Sequence, residues 1–382
     1  MISTYFGRAA VGWAFTLVVL LVPMASAQSV SLAAAAKAAN VEFFNGMVNA
    51  ALVHGHGNGD IGDRLNAAMA LRPGGTILVP DGTYSFSTTI EPPAKMGTGV
   101  TIDCGSTNTV LRYTGSRDAI FIHDQIAIGT TVVFRNCTVM ADKASGTAAN
   151  GVHVQSSLGV SFYDCVIKDF KHYGVFNEGA IGAFFSNVTA ESNGINLVNA
   201  PDDATNMSSN AIRWIGGSLQ YPATVNYWEA PSKNMRNQQN IVETIFEMAT
   251  PMPQAVIEAC DSCTIRNSYI EYIAVSGISF SPVVIGNAPH SGYGSETSEY
   301  PKHLRLENNL TFFPLGSRGY RVLNVAGLTL NDDDEQGKPE CMIEFAHEPT
   351  VGITAVNIVG GLYNWSGDKF VNSQDSFFAS TH

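Results

Sequence analysis

The sequence predicts an all-β solenoid, a right-handed single-stranded parallel β-helix with one short capping helix at its N-terminal end. Three observations carry this prediction. A strand, bend, strand unit recurs along the chain at intervals of 28, 23, 29, 27 and 24 residues, which is a coil period. After Leu71 no amphipathic helical stripe of useful length returns, so βαβ folds lose their helices. Ahead of the repeats, a helix, a Gly-Gly turn and a short strand follow one another in an order suited to closing the end of a stack.

The first element is a targeting signal. Arg8 precedes an apolar run from Ala9 to Val22, and Ala25-Ser26-Ala27 is a small-x-small cleavage pattern. The run is short for a membrane span, which needs about 20 residues. Residues 1–27 therefore read as a signal peptide cut near Ala27-Gln28, and a secreted or periplasmic chain without a membrane span is expected. Residues 28–59 are Ala-rich and then Gly/His-rich with no strand period, and are expected to form an N-terminal arm. The β-helix domain is expected over 60–382.

Asp60 to Leu71 places Ile61, Leu65, Ala68 and Met69 on one helical face, with Asp60 as N-cap and Pro73-Gly74-Gly75 as the stop. Short β runs follow: Thr76 to Val79, the turn Pro80-Asp81-Gly82, Thr83 to Ile90, and Val100 to Asp103. The repeat becomes visible at Phe134-Arg135-Asn136-Cys137. It returns at Phe162-Tyr163-Asp164, Phe185-Ser186-Asn187, Trp214-Ile215-Gly216, Ile241-Val242-Glu243 and Ile265-Arg266-Asn267. Weaker matches occur at Leu306-Glu307-Asn308, Val325-Ala326-Gly327 and Ile358-Val359-Gly360. Asn, Asp or Gly two residues after the apolar anchor suits a bend with left-handed backbone. A unit of this size has no core of its own and must stack on its neighbours. The Gly/Ser/Pro-rich stretch from Ser281 to Pro301 interrupts the period and reads as a long loop.

Composition limits the partners. The formal charge is −12 and the basic residues do not cluster, so nucleic acid is not expected as a partner. Six cysteines are too few for a disulfide scaffold in a chain of 382 residues. Cys137 and Cys165 fall in one column on adjacent coils, which fits either a disulfide or two buried thiols. Cys260-x-x-Cys263 has no second pair or nearby His, which argues against zinc. Gly57-x-Gly59-x-x-Gly62 lacks the strand and βαβ context of a dinucleotide site.

The segment from Asp60 to Tyr84, with its helix, Gly-Gly turn, strand and Pro-x-Gly-x-Tyr turn, resembles the start of pectate-lyase-superfamily β-helices. The coils are similar to those of polygalacturonases, pectate lyases and phage tailspike depolymerases. This resemblance implies a polysaccharide partner, uronate-rich or related, and an enzyme that degrades it as a glycoside hydrolase or polysaccharide lyase. Some members only bind, so a glycan-binding or adhesin-like surface protein is the alternative. Calcium is implied only for lyase chemistry, where Glu243, Glu247 and Glu271 are candidate ligands and Arg213, Arg236 or Arg266 a candidate base. The oligomeric state is not fixed by the sequence.

Equivalent positions on stacked strands lie about 4.8 Å apart, so columns are readable. Six residues after the anchor the column reads Met140, Lys168, Glu191, Gln220, Glu247, Glu271. Glu247 and Glu271, with Glu191, are the candidate catalytic residues, because two carboxylates about 5 Å apart suit retaining glycoside hydrolysis and split their pKa values. A solvated ladder of surface residues is the plainer alternative. Lys168 in this column, and Tyr221, Tyr227 and Trp228 as a groove wall, are the candidate substrate-binding residues; packing is the other role open to Trp228. Asp202-Asp203 resembles the paired aspartates of polygalacturonases and joins the binding candidates. The Gly-His-Gly and Arg-x-Lys expected downstream are missing, and Pro201-Asp202-Asp203 also reads as a turn. Asn331 to Glu335 reads as an exposed acidic turn.

Overall fold

A strand of three or four residues exposes most of its apolar surface unless the next coil covers it. In this protein each coil is covered by the next through parallel pairing. The computed structural model describes residues 47–379 apart from 54–56, 58, 72, 95–97, 126–130, 143–149, 232–236, 274, 276–279, 287–299, 332–333, 336–338, 340, 346–352, 360–369 and 373–377. The expected signal peptide (1–27), residues 28–46 of the expected arm and residues 287–299 of the loop expected over Ser281 to Pro301 lie outside the described residues; within that loop Val283–Ile285 is instead a strand of the third sheet, paired with Ala255–Ile257.

The strands make three faces. The first includes Val100–Asp103, Val132–Arg135, Val160–Tyr163 and Phe184–Ser186; the second includes Val110–Tyr113, Thr138–Ala141, Val166–Lys168 and Thr189–Glu191. Arg213–Gln220 and Ile241–Met248 run through both, so the two faces form one 21-stranded sheet. The third face is a 10-stranded sheet running from Ile120–His123 through Asn150–Gln155, Tyr173–Glu178, Ile195–Ala200 and Val225–Glu229 to Phe370–Asn372. This is the parallel β-helix expected from the repeat.

The bend between the first two faces is made by the residues the repeat singles out. Asn136, Asp164, Asn187, Gly216, Asn267 and Asn308 have φ of 57, 52, 53, 71, 49 and 54°. Asn and Gly tolerate this left-handed backbone better than other residues. Their side chains also join coil to coil: Asn187 Nδ2 donates to Asp164 Oδ1 at 2.7 Å, and Asn308 Nδ2 to Asn267 Oδ1 at 2.7 Å.

Two registers differ from the sequence reading. Leu306 pairs with Leu330 rather than with Val325. Trp214 pairs with Val242, not Ile241. Gly216 and Gly217, both left-handed, match Asn187 and Val188 one coil before, and they stand as a bulge only against the next coil, which has one residue fewer here. Gly217 is required there, since a Cβ would lie 2.0 Å from the Val188 carbonyl oxygen. Beyond the bulge Gln220 again pairs with Glu247, so the outward column is unaffected.

Two further expectations are corrected, while the capping helix stands as expected. Met47–Asn49, assigned to the loose arm, is a strand paired with Thr76–Leu78, and its Val48 is buried. The helix Ile61–Leu71 follows, with Asp60 Oδ1 accepting from Asp63 N at 3.0 Å as an N-cap. Cys137 is bridged to Cys104, with Cα atoms 5.1 Å apart, rather than to Cys165. Cys104 sits in a wider turn outside the repeat spacing, so the column did not reveal it. Cys165 is a buried thiol whose pKa burial pushes up to about 12.

Inside the tube the anchors stack. Ring centroids are 4.9 Å apart for Phe134 and Phe162, 5.4 Å for Phe162 and Phe185, and 5.0 Å for Phe185 and Trp214. Beside them runs a buried polar column. Asn177 Nδ2 donates to Asn199 Oδ1 at 2.8 Å, and Asn199 Nδ2 donates to Glu229 Oε1 at 2.7 Å. Asn237, Asn240 and the Tyr227 hydroxyl also donate to Glu229. Burial of Glu229 outweighs these four donors and lifts its pKa to about 7.

Two measurements follow. Phe162→Ala removes the ring in the middle of the stack and is expected to destabilise by about 3–5 kcal/mol in urea unfolding; a loss below 1 kcal/mol would contradict the packing. A folded pKa above the unfolded one makes the Glu229 contribution full below about pH 4.5 and lost as pH rises through about 7. That loss is worth about 3 kcal/mol. It is read as the difference between wild type and Glu229→Gln across this range, and a pH-independent difference would refute the assignment.

Candidate functional site

The predicted carboxylates lie where their spacing puts them. Lys168 pairs with Glu191, Glu191 with Gln220, Gln220 with Glu247, and Glu247 with Glu271. All five are partly exposed on the outer side of the second face. Lys168 Nζ is 3.1 Å from Glu191 Oε1. Glu247 Oε2 accepts from Gln220 Nε2 at 2.8 Å and from the Tyr221 hydroxyl at 3.2 Å. Tyr221 has φ 48° just past the strand end, which turns its ring outward, and it is 40% exposed. Burial and the neighbouring Glu247 raise its phenol pKa.

Two residues missed in the sequence complete this face. Tyr269 precedes Glu271 by two positions, shares its side of the strand and hydrogen-bonds to it. Phe312 pairs with Glu271, and its ring centroid is 5.4 Å from that of Tyr269. Alternation within Tyr269-Ile270-Glu271 carries the signal for Tyr269.

The other predicted aromatics are elsewhere. Tyr227 and Trp228 belong to Val225–Glu229 in the third sheet and are 1% and 3% exposed, so they do not form a groove wall. The stretch expected as a loop contains a strand paired with Ile195–Asn199, which sends Tyr227 into the core. Trp228 faces the other way into a second apolar cluster, with its Nε1 2.8 Å from Glu258. Asp202 is buried beyond the end of the third-sheet strands. Desolvation opposes its charge, but hydrogen bonds from Ser156, Thr205 and Ala204 N hold its pKa below the ordinary range. Asp203 is exposed in the same turn. Neither aspartate joins the glutamate column.

The third sheet carries a second constellation. His153 lies on the outward side of Asn150–Gln155, between inward Val152 and Val154. Its Nδ1 is 2.8 Å from Asp118 Oδ2 and its Nε2 is 3.0 Å from Glu178 Oε2. Asn150 Nδ2 holds Asp118 at 2.8 Å, and Gln155 Nε2 holds Glu178 at 2.8 Å. Two carboxylate acceptors on both ring nitrogens call for both to carry protons. Burial works against that charge, but the bonds and charges of Asp118 and Glu178 outweigh it and raise the pKa above 6.5.

Aromatic rings frame this group. The His153 ring is 5.0 Å from Phe121 and 4.7 Å from Phe176, and Tyr173 is 5.1 Å from Phe176. One coil back, His123 bridges Glu91 at 2.8 Å and Asp124 at 3.1 Å, stacked 4.7 Å from Phe121. The cluster is largely buried but reaches solvent at its edge: side-chain exposure is 12% for His153 and 25% for Glu178. This cluster can store a proton on His153 and accept one on a carboxylate beside it. Its columns escaped the sequence reading because the segment joining the second and third faces differs in length from coil to coil.

Calcium takes six to eight oxygens. Among the described residues no group of three or more His, Cys, Asp or Glu is arranged to hold a metal ion. Of the candidate ligands, Glu243 is instead paired with Arg266. The described residues do not fit a calcium site.

A measurement on His153 tests this geometry. Its imidazole, followed by NMR titration, is expected to titrate above pH 6.5 and to shift down in Glu178→Gln, which removes one carboxylate; an unchanged titration would show that Glu178 does not hold it.

No family model and no curated protein matches this chain. Solved structures do. The A-module of the mannuronan C-5 epimerase AlgE4 from Azotobacter vinelandii superposes with TM-score 0.54 at 12% identity, over 87% of this chain and 99% of that one. PfbA, a surface adhesin of Streptococcus pneumoniae, gives TM-score 0.60 at 9% identity, over 85% and 90%. ORF18 of Geobacillus virus E2 gives 0.50 at 12% identity, and this chain spans 82% of itself but only 65% of that protein. At such identities the likeness concerns architecture, and it agrees with the pairing pattern. The chain has the pectate-lyase-like right-handed parallel β-helix fold.

Proposed function

We propose that the protein is an exported polysaccharide-cleaving enzyme whose acid–base centre is His153 with Asp118 and Glu178. The observation that carries this reading is the solvent-reachable imidazole bonded at both nitrogens to carboxylates from neighbouring coils. Cleaving a glycosidic bond, by water or by elimination, leaves a sugar oxygen that needs a proton. Protonated His153 supplies it, and the adjacent carboxylate receives the proton lost by water or by the sugar carbon. Phe121 and Tyr173, both partly exposed, offer ring surface for sugars, while Phe176 is buried beneath them.

The Glu247 and Glu271 pair is the competing centre. Its carboxylates are engaged by Gln220, Tyr221 and Tyr269 on a sheet face rather than by an acid partner such as histidine. The architecture is shared with epimerase and adhesin structures alike, so a glycan-binding surface protein is the reading that silent assays would favour.

Purified chain is assayed on neutral and uronate polysaccharides, with calcium and with chelator, following reducing ends and the ultraviolet absorbance of unsaturated products. His153→Gln is expected to lower kcat by about 10²–10⁴-fold with KM retained. Wild-type kcat/KM is expected to fall on the alkaline side as His153 loses its proton. Full activity in His153→Gln, with turnover lost in Glu247→Gln or Glu271→Gln, would move the centre to the glutamate column.

A further inference from the structure

The outer side of the second face, over the coils of Glu247 and Glu271, concentrates exposed apolar side chains. Ile245 and Ile273 are each 40% exposed, as is Tyr221, and Tyr269 and Phe312 stand beside them. Register puts Ile245 beside Tyr269, and Glu247 beside Glu271 beside Phe312. Large apolar side chains grouped on a sheet face mark a binding surface. Interleaved with them are Glu191, Glu247 and Glu271, and the nearby cation Lys168 is paired with Glu191.

We propose that this face is a second glycan-binding surface, separate from the His153 centre, and that it takes a cationic, amino-sugar-containing chain. Stacked rings accept the apolar faces of pyranoses, and an ammonium group over Tyr221 or Tyr269 gains cation–π attraction. Each carboxylate has about four acceptor sites, so the bonds from Gln220, Tyr221 and Tyr269 leave Glu247 and Glu271 able to accept from an ammonium or hydroxyl. Charge selects among occupants. A polyuronate, a nucleic acid or an anionic membrane meets three carboxylates here on a chain of formal charge −12. A two-fold contact with a second copy would bring this carboxylate-bearing patch against itself.

The test uses the full chain carrying His153→Gln, so that binding is read apart from turnover. Calorimetry with a glucosamine hexamer, its fully N-acetylated counterpart and a galacturonate oligomer compares the three charges. The glucosamine hexamer is expected to bind at least about tenfold more tightly than the acetylated one and to weaken with added salt. Glu247→Gln with Glu271→Gln is expected to erase that preference, and Tyr269→Ala to weaken both chitin-type ligands. Unfolding midpoints verify that the variants fold. Equal binding of all three oligomers, preference for galacturonate, no binding, or a preference that survives the double variant would each overturn the proposal. Concentration-dependent dimerisation lost in Tyr269→Ala would give the face to a second copy instead.

Discussion

Parallel pairing of each coil with the next is the constraint on which the rest of this structure rests. A single coil has three short strands and no interior of its own; its anchor is buried only because the anchors above and below cover it. Phe134, Phe162, Phe185 and Trp214 make this physical, since each ring lies against the ring one coil on. The same pairing orders the outside of the tube. Whatever side chain occupies an outward position is placed beside its equivalent, about 4.8 Å away, and functional groups assemble as columns.

Two such columns result, with different chemical character. On the second face, Glu247 and Glu271 stand among rings and are held by amide or phenol donors, while Glu191 is paired with Lys168. On the third face, a histidine is wedged between carboxylates and rings, with amides of Asn150 and Gln155 fixing those carboxylates in turn. The first arrangement presents charge and flat apolar area. The second couples proton donors to acceptors.

Much of the fold was legible because the bend is chemically marked. Asn136, Asp164, Asn187, Asn267 and Asn308 need left-handed backbone, and this requirement writes the period into the sequence. The glutamate column was readable because a short bend keeps its distance from the anchor nearly constant, one residue shorter in Ile241–Met248 than in the coil before it. The third sheet was not readable in this way. From Phe134 to His153 the chain takes a longer path than from Phe162 to Phe176, although His153 and Phe176 are direct partners. Variable connections erase register, so His153, Asp118 and Glu178 stayed hidden and Tyr227 and Trp228 were set on the wrong surface. Cys104 was missed for a similar reason, since its turn does not share the repeat.

The buried column of Asn177, Asn199 and Glu229 ties three successive coils together through their interior. Other interior pairs tie layers in the same way, since Asn196 Nδ2 donates to Asn226 Oδ1, Asn309 Oδ1 accepts from Ser268 N, and a disulfide joins Cys104 to Cys137. Between Tyr173 and Asn240 each layer has a specific hydrogen-bonding mate, and an extra layer would strand amide and carboxyl groups without partners. Inserting a whole coil is therefore costly wherever such side-chain pairs cross from layer to layer, and cheapest where layers meet through apolar side chains alone.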